Sequence, residues 1–294
     1  MKFTERKLLC IAGSTKCGTT TLFDLLNQSD IIDGAVRKET RYFMSEKYPL
    51  PRIYNYSKGA KDYERFFKGK NINSVLLDAS PDYMYCNEAI KRINKEFKNS
   101  FVVVILRDPA DRFLSWFNYA KQIGKIDENL TVREFLSIQL DNVNLAEEQV
   151  TNALAQGEYS KFVEKIEHEF SDRFLIVSFE EFKDNPKKVI RKIATLIGEN
   201  INVDEIKYDV SNKTINVKNQ KLYNAYSNLR EYFGSKTAFF PFIHRFGKKI
   251  RITIDFFMHR YNTKETIKDN IDEEVKDYLT KYYAFERSWL KDKL

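Results

Sequence analysis

Four short apolar runs in this chain are each followed at once by a polar motif, and helix-like segments lie between them. Strands separated by helices require crossover connections, which make the strands parallel and place helices on the faces of the sheet. The sequence therefore predicts an α/β fold with three layers, α/β/α, around a central, mostly parallel sheet. The predicted strands are Leu8–Ala12, Ser74–Asp78, Phe101–Leu106 and Phe174–Phe179, and the predicted helices are Thr19–Gln28, Glu88–Phe97, Ala110–Gln122, Val132–Leu140 and Lys161–Phe170.

The polar motifs that follow these runs are GSTKCGTTT, DASPDY, RDPADR and EEFKDNP. The carboxyl ends of parallel strands meet at one edge of a sheet, where open α/β sheets bind their ligands, so the motifs predict a single ligand crevice. The 294 residues contain no internal repeat, low-complexity tract or clear linker. One domain covering residues 1–294 is therefore expected.

The first motif, GSTKCGTTT at 13–21, has the composition of a phosphate-binding turn. Unpaired N–H groups at a helix N-terminus attract anions, and Lys16 adds a full positive charge. In nucleoside triphosphatases the order is GxxxxGK(S/T), whereas here Lys16 precedes Gly18 by two positions. A P-loop nucleotide kinase or NTPase would need that order and Mg²⁺, and it is kept as an alternative. The residues expected to bind the phosphate group are Ser14, Thr15, Lys16, Cys17, Gly18, Thr19 and Thr20.

A second anion site is predicted by the third motif, RDPADRFLS, which follows the most apolar run of the chain. Asp108 followed by Pro109 is typical of a helix start, with the aspartate as N-cap and the proline as the first helical residue. Arg107 is then expected at the carboxyl end of a buried strand, and Ser115 about two turns into the following helix.

Together, the KxGTT loop after a strand and the RDP-x5-S element resemble the sulfotransferases that use 3′-phosphoadenosine 5′-phosphosulfate (PAPS). The nearest likeness is to bacterial and heparan-sulfate-type carbohydrate sulfotransferases. This resemblance implies a P-loop-like sulfotransferase fold and in-line transfer of a sulfuryl group to a hydroxyl or amine, with adenosine 3′,5′-bisphosphate as the product. It implies that Lys16 stabilises the leaving phosphate and that Arg107 and Ser115 hold the 3′-phosphate. No metal is expected, since no carboxylate pair or His/Cys ligand set is evident.

The acceptor side is predicted from the segment RKETRYF at 37–43, which resembles the KExxFF element of heparan-type and related enzymes. In that family the glutamate is the general base, which carries over to Glu39, with Lys38 and Arg41 as candidate acceptor-binding residues. Neighbouring cations lower the pKa of a carboxylate and weaken it as a base. It can still accept a proton while the O–S bond forms.

Asp78 is an alternative base or a residue that positions the acceptor. It opens DASPDY, at the place of the EKTPxY element of heparan-type enzymes, but Ala79 replaces the lysine of that element. A strand-end aspartate that only caps the following turn is the other interpretation.

Two further elements resemble donor-binding parts of the same family. Tyr159, in QGEY, either closes the nucleotide pocket or packs at a helix start. The segment NKTINVK at 212–218 resembles a loop that folds over the 3′-phosphate, with Lys218, or alternatively Lys213, in place of an arginine.

The net charge of +7 and a pI near 9.0 favour anionic partners. A nucleic-acid binder would fit that charge but would not explain the Arg–Ser element, so no nucleic acid is expected. The expected acceptor is a glycan or glycolipid, with a small alcohol or a protein as alternatives. The basic and aromatic stretch 236–254 is interpreted as a lid, a patch for an anionic membrane, or a packed core helix. No apolar run of about 20 residues and no signal peptide is evident, so a cytoplasmic location is expected.

Overall fold

The structure, a computed structural model, describes residues 2–48, 52–69, 71–141, 152–208, 216–217, 263–264 and 272–294. Its strands are β1 (Leu8–Gly13), β2 (Ile32–Gly34), β3 (Ser57–Ala60), β4 (Val75–Asp78), β5 (Ser100–Leu106), β6 (Phe174–Ser178), β7 (Asn216–Val217) and β8 (Thr263–Lys264). Five of them form a parallel sheet in the order β2-β4-β1-β5-β6, and β7 pairs with β8 in an antiparallel manner.

Strand β1 occupies the middle of the five-stranded sheet, between β4 and β5. The chain first builds the side of β1 that holds β2 and β4, and then builds the other side with β5 and β6. The strand order therefore reverses at β1, which is the place where open α/β sheets bind ligands. The loop that follows β1 lies at this point.

The described helices are α1 (Thr19–Leu26), α2 (Asn87–Glu96), α3 (Pro109–Gln122), α4 (Val132–Asp141), α5 (Ser160–Phe170), α6 (Phe179–Asp184), α7 (Pro186–Ile197), α8 (Glu273–Tyr282) and α9 (Ala284–Lys293). Short 3₁₀ helices cover Phe3–Glu5, Tyr63–Phe66, Pro81–Tyr85, Ala155–Gly157 and Ser171–Arg173. Among the helices of these described residues, none has the length and apolarity that crossing a bilayer requires.

The core lies on both faces of the sheet, as side chains alternate along each strand. Leu8 and Cys10 of β1 belong to a cluster with apolar residues of α2 and α5. Leu9 and Ile11 point the other way, into a cluster with α1 and α7. The predicted α/β/α arrangement of three layers is confirmed.

A third cluster joins α3, α4 and α8 beside the sheet. Trp116 of α3 stacks on Phe135 of α4 with ring centroids 5.8 Å apart, and Leu279 of α8 is buried in the same cluster. This packing fixes the outer side of α3, the helix that follows the RDP motif.

The sequence analysis missed β2 and the pair α6–α7. Strand β2 has only three residues, too few for a periodic signal. The motif EEFKDNP contributes to both helices. Ser178 caps α6 by accepting a hydrogen bond from the N–H of Glu181, and Asn185 caps α7 by accepting one from the N–H of Lys188. Both are ordinary N-cap contacts, and Pro186 follows at the first position of α7.

Candidate active site

The turn after β1 runs directly into α1. Gly18 is the residue before the helix and has φ +84°, a left-handed conformation that glycine adopts without strain. A Cβ there would also lie 3.3 Å from the rings of Phe179 and Phe182. At the start of the turn, the N–H of Ser14 donates to the carbonyl of Ile105 at 2.8 Å, which fixes the loop to β5.

Lys16 lies at the tip of this turn, with φ +67° and a partly exposed side chain. Its Nζ is 4.0 Å from the centroid of the Tyr119 ring in α3. Burial lowers the pKa of Lys16 to about 8; the Cys17 thiol opposes this shift and the nearby Arg107 adds to it. No carboxylate among the described residues forms an ion pair with Lys16, so its charge is available to an anion.

The inner side of the loop packs against protein. Ser14 Oγ is 2.7 Å from the hydroxyl of Tyr85, and Cys17 is fully buried. Burial raises the pKa of the Cys17 thiol to about 11, so it stays a neutral packing group. Since Thr15 and Cys17 have buried side chains, their expected contacts with a phosphate group would use the backbone N–H groups. Ser14 has a buried side chain as well, and its N–H already donates to Ile105. Thr20 is exposed at the helix start.

The RDP motif folds as predicted. Asp108 caps α3 by accepting hydrogen bonds from the N–H groups of Ala110 (3.0 Å) and Asp111 (3.2 Å), with Pro109 as the first helical residue. Arg107 directly follows β5; one of its Nη atoms lies 3.3 Å from Asp111, and its guanidinium stacks 5.0 Å from the centroid of Phe179. Its Nε is buried without an acceptor among the described residues.

One face of α3 brings the two motifs together. Asp111, Ser115 and Tyr119 are spaced four residues apart, so they line the same side of the helix. Arg107 contacts the first of them and Lys16 contacts the last, with Ser115 between them. Two cations and a hydroxyl from separate motifs therefore border one surface.

The segment 37–43 lies next to the start of α1. Glu39 forms ion pairs with Lys38 (3.0 Å) and Arg41 (2.6 Å), and Lys38 Nζ also lies 3.5 Å from Oγ1 of Thr19 in α1. Burial would raise the pKa of Glu39, but Lys38, Arg41 and Arg37 together lower it below its usual value. Glu39 is thus ionised and borders the helix start that the sequence assigned to phosphate binding.

Asp78 is placed in agreement with the second of its two sequence interpretations, a strand-end aspartate with a structural role, and not with the first. Its carboxylate is fully buried and accepts hydrogen bonds from the hydroxyls of Thr40 (2.6 Å), Ser80 (2.8 Å), Tyr63 (2.9 Å) and Tyr83 (3.0 Å). Burial raises the pKa of Asp78 against the effect of these donors. A carboxylate enclosed by four hydroxyls does not present itself to an acceptor, so the predicted base or acceptor-binding role is corrected. Asp78 instead fixes the loop that carries Glu39, through Thr40.

Asp82 is a buried residue that the sequence analysis did not single out. It pairs with Nε of Arg41 at 3.1 Å and accepts a hydrogen bond from the hydroxyl of Tyr48. Because Arg41 also holds Glu39, Asp82 orients the candidate base indirectly. The sequence offered no local signal for this pairing, which joins residues 41 positions apart.

Tyr159 is fully buried and directly precedes α5, in agreement with the packing interpretation. The adjacent Ser160 donates from its N–H and its hydroxyl to Glu286 of α9. Arg287 of the same helix pairs with Asp108 at 2.7 Å. Helix α9 therefore supports both the RDP motif and the start of α5, an arrangement that the sequence did not predict.

Several predictions concern residues outside the described part of the chain. Lys213 and Lys218 lie there, and so does the whole basic and aromatic stretch 236–254. Their roles stay predictions. In the residues that the structure does describe, no group of three or more His, Cys, Asp or Glu side chains is arranged to hold a metal ion.

A family model for the sulfotransferase domain matches residues 6–284. The chain belongs to the sulfotransferase family. The recognition of that family from the KxGTT and RDP-x5-S motifs is confirmed. A solved structure, a sulfotransferase from Alicyclobacillus acidocaldarius, has a TM-score of 0.59 and 23% identity, and the match covers 76% of this chain and 91% of that one. It confirms the sulfotransferase fold.

Curated relatives of this sulfotransferase include enzymes named for heparan sulfate. A bifunctional heparan sulfate N-deacetylase/N-sulfotransferase 1 from Xenopus laevis is 23% identical over 65% of this chain and 22% of its own length. Human heparan sulfate glucosamine 3-O-sulfotransferase 5 is 24% identical over 53% of this chain and 42% of its own length. The membrane-associated sulfotransferase kil1 from Dictyostelium discoideum is 32% identical over 40% of this chain and 25% of its own length. The chain therefore spans less than half of the length of these relatives.

Proposed function

We propose that this protein transfers a sulfuryl group from PAPS to a hydroxyl or amine of a carbohydrate acceptor. The observation that carries the proposal is the convergence at α3, where Lys16 and Arg107 flank Ser115 on one helix face. Glu39 is linked to the start of α1, which follows the Lys16 turn, through Lys38, which reaches Thr19. A donor with anionic groups at the 5′ and 3′ positions of its ribose needs two separated cations, and Lys16 and Arg107 would supply them.

The residues present fit such a donor. The loop N–H groups at the start of α1 and the Lys16 ammonium would hold the 5′-phosphosulfate. Arg107, whose buried Nε has no acceptor among the described residues, and Ser115 would hold the 3′-phosphate. The order of Lys16 and Gly18 supports this nucleotide over a nucleoside triphosphate.

In the proposed reaction, Glu39 accepts a proton from the acceptor hydroxyl or amine. At the same time, the oxygen or nitrogen that loses this proton forms a bond to sulfur. The bond between sulfur and the bridging oxygen breaks in line with the attack, and the bridging oxygen keeps the electron pair. Lys16 stabilises the charge that develops there, so adenosine 3′,5′-bisphosphate leaves. Positioning and charge carry most of the catalysis, as in phosphoryl transfer.

The acceptor class is supported by the relatives, two of which are named for heparan sulfate. A glycan or glycolipid with a free hydroxyl or amine is therefore the proposed acceptor. The absence of a lysine at Ala79, where heparan-type enzymes carry one, favours a glycan other than heparan sulfate itself.

The test is a transfer assay with PAPS and a panel of glycans, glycolipids, small alcohols and tyrosine peptides, with and without a chelator. We expect chelator-resistant release of adenosine 3′,5′-bisphosphate with at least one carbohydrate. Calorimetry should show binding of adenosine 3′,5′-bisphosphate in preference to Mg·ATP. Preferential binding of Mg·ATP, with turnover lost to the chelator, would instead identify a P-loop kinase or NTPase.

A further inference from the structure

Arg112 is a buried arginine in α3 that the proposed reaction does not use. Its side chain is 0% exposed, and one Nη donates to the carbonyl oxygen of Ala153. Its Nε and its other Nη are buried and have no acceptor among the residues that the structure describes. Within that same part of the chain, no carboxylate forms an ion pair with it.

A buried charge without a counter-charge is costly, and arginine does not escape the cost by losing its proton. Burial opposes the charged form, but a guanidinium keeps its proton even when it is buried. The guanidinium therefore stays positive. An anion bound nearby would compensate this charge.

The place where such an anion would bind follows from the neighbours of Arg112. The hydroxyl of Tyr85 is 2.7 Å from Ser14 Oγ, at the start of the phosphate loop. Cys17 lies on the buried side of the same loop. The positive charge of Arg112 lowers the pKa of the Cys17 thiol, although the larger effect of burial raises it. Arg112 therefore belongs to the same buried group of side chains as Tyr85 and Cys17, on the inner side of the loop.

We propose that Arg112 is a positioning residue whose buried positive charge attracts, through the loop, the anionic 5′-group of the nucleotide. The inference rests on the proposed function, since it takes the loop as the binding site of that group. Lys16 and the loop N–H groups contact the 5′-group, and Arg112 adds to the positive potential from the inner side of the loop. Because the buried surroundings of Arg112 screen its charge only weakly, removing this charge should lower the affinity for the 5′-group on the order of tenfold.

The test compares two probes that separate the ends of the nucleotide, 5′-AMP and 3′-AMP, by calorimetry. Arg112→Met removes the charge and keeps much of the length of the side chain, whereas Arg112→Lys keeps the charge. We expect Arg112→Met to bind 5′-AMP roughly tenfold more weakly and 3′-AMP with little change. Arg112→Lys should bind both within about threefold of the wild type. Arg191→Met, at an exposed arginine of α7, is the matched control and should change neither affinity.

The outcomes separate this inference from the function on which it rests. If the wild type binds neither the AMP probes nor adenosine 3′,5′-bisphosphate, the proposed function itself is wrong. If the wild type binds them and a folded Arg112→Met variant keeps its affinity for 5′-AMP, or loses both probes equally, the inference is overturned. Should Arg112→Met fail to fold, Arg112→Lys decides, because a tenfold loss of 5′-AMP binding in a folded variant that retains the charge would contradict an electrostatic role.

Discussion

On the proposed donor side of the site, the Lys16 ammonium lies over the ring of Tyr119, and no described carboxylate forms an ion pair with it. On the acceptor side, the Glu39 carboxylate is already held between Lys38 and Arg41, and Arg41 is held in turn by Asp82. The Lys16 charge therefore stays ready for a ligand, whereas the acceptor side satisfies its charges internally, as Arg107 does in part through Asp111. A site built in this way should bind its nucleotide strongly through charge and orient its base through the protein.

Replacing Lys16 tests the donor side and should have the largest effect. Lys16→Ala is expected to lower the rate of sulfuryl transfer by roughly a thousandfold, since losing one donor to a developing oxyanion costs about 3–4 kcal/mol. Steady-state kinetics with PAPS and the best acceptor measures it. Lys47→Ala, at an exposed lysine outside the site, serves as control. Activity within about tenfold of the wild type would refute the role of Lys16.

Replacing Glu39 tests the acceptor side. Glu39→Gln is expected to lower kcat by about a hundredfold, the lower range for loss of a general base, while affinity for adenosine 3′,5′-bisphosphate changes by only a few fold. Kinetics and calorimetry on the same preparation separate the two effects. Weaker nucleotide binding with an unchanged kcat would show that Glu39 acts in nucleotide binding and not as the base, which would contradict the proposed difference between the two sides.

Asp78 should affect stability more than catalysis. Asp78→Asn replaces a carboxylate oxygen that accepts from several hydroxyls with an amide N–H₂ group, so the free energy of unfolding should fall by about 1–3 kcal/mol. Urea denaturation measures the change. The kcat of the folded fraction should fall far less than in Glu39→Gln, since Asp78 acts only on the position of the loop that carries Glu39. A large fall in kcat without loss of stability would restore Asp78 as a reacting group.

The pH dependence of nucleotide binding should follow the deprotonation of Lys16. We expect this to be the smallest of the four effects. In the free protein, burial lowers the pKa of Lys16 to about 8, and a bound anion favours the protonated amine and raises that pKa again. Affinity for adenosine 3′,5′-bisphosphate should therefore be nearly constant between about pH 7 and pH 8, where the phosphates of the nucleotide are already ionised, and fall by roughly tenfold per pH unit above about pH 8. Calorimetry across this range measures the slope. Lys16→Arg, which stays charged, should remove the dependence, and the same slope in that variant would assign the titration elsewhere.

The donor side was the more predictable half because its signals are local in sequence. The turn before α1 and the Asp108–Pro109 helix start are read from adjacent residues, and both fold as expected. The acceptor side depends on distant partners, such as Tyr63 donating to Asp78 and Asp82 pairing with Arg41. Whether a carboxylate faces a ligand or the core depends on those partners, so the sequence could name Asp78 but not its burial.

Helix α9 has a consequence for how the site is assembled during synthesis. Arg287 holds the Asp108 cap, and Glu286 holds the start of α5. The segments that they steady emerge from the ribosome long before α9 does. A nascent chain can thus form the sheet early, whereas the proposed nucleotide site lacks these supports until α9 has been made. Nucleotide binding to partly synthesised chains should therefore be weak.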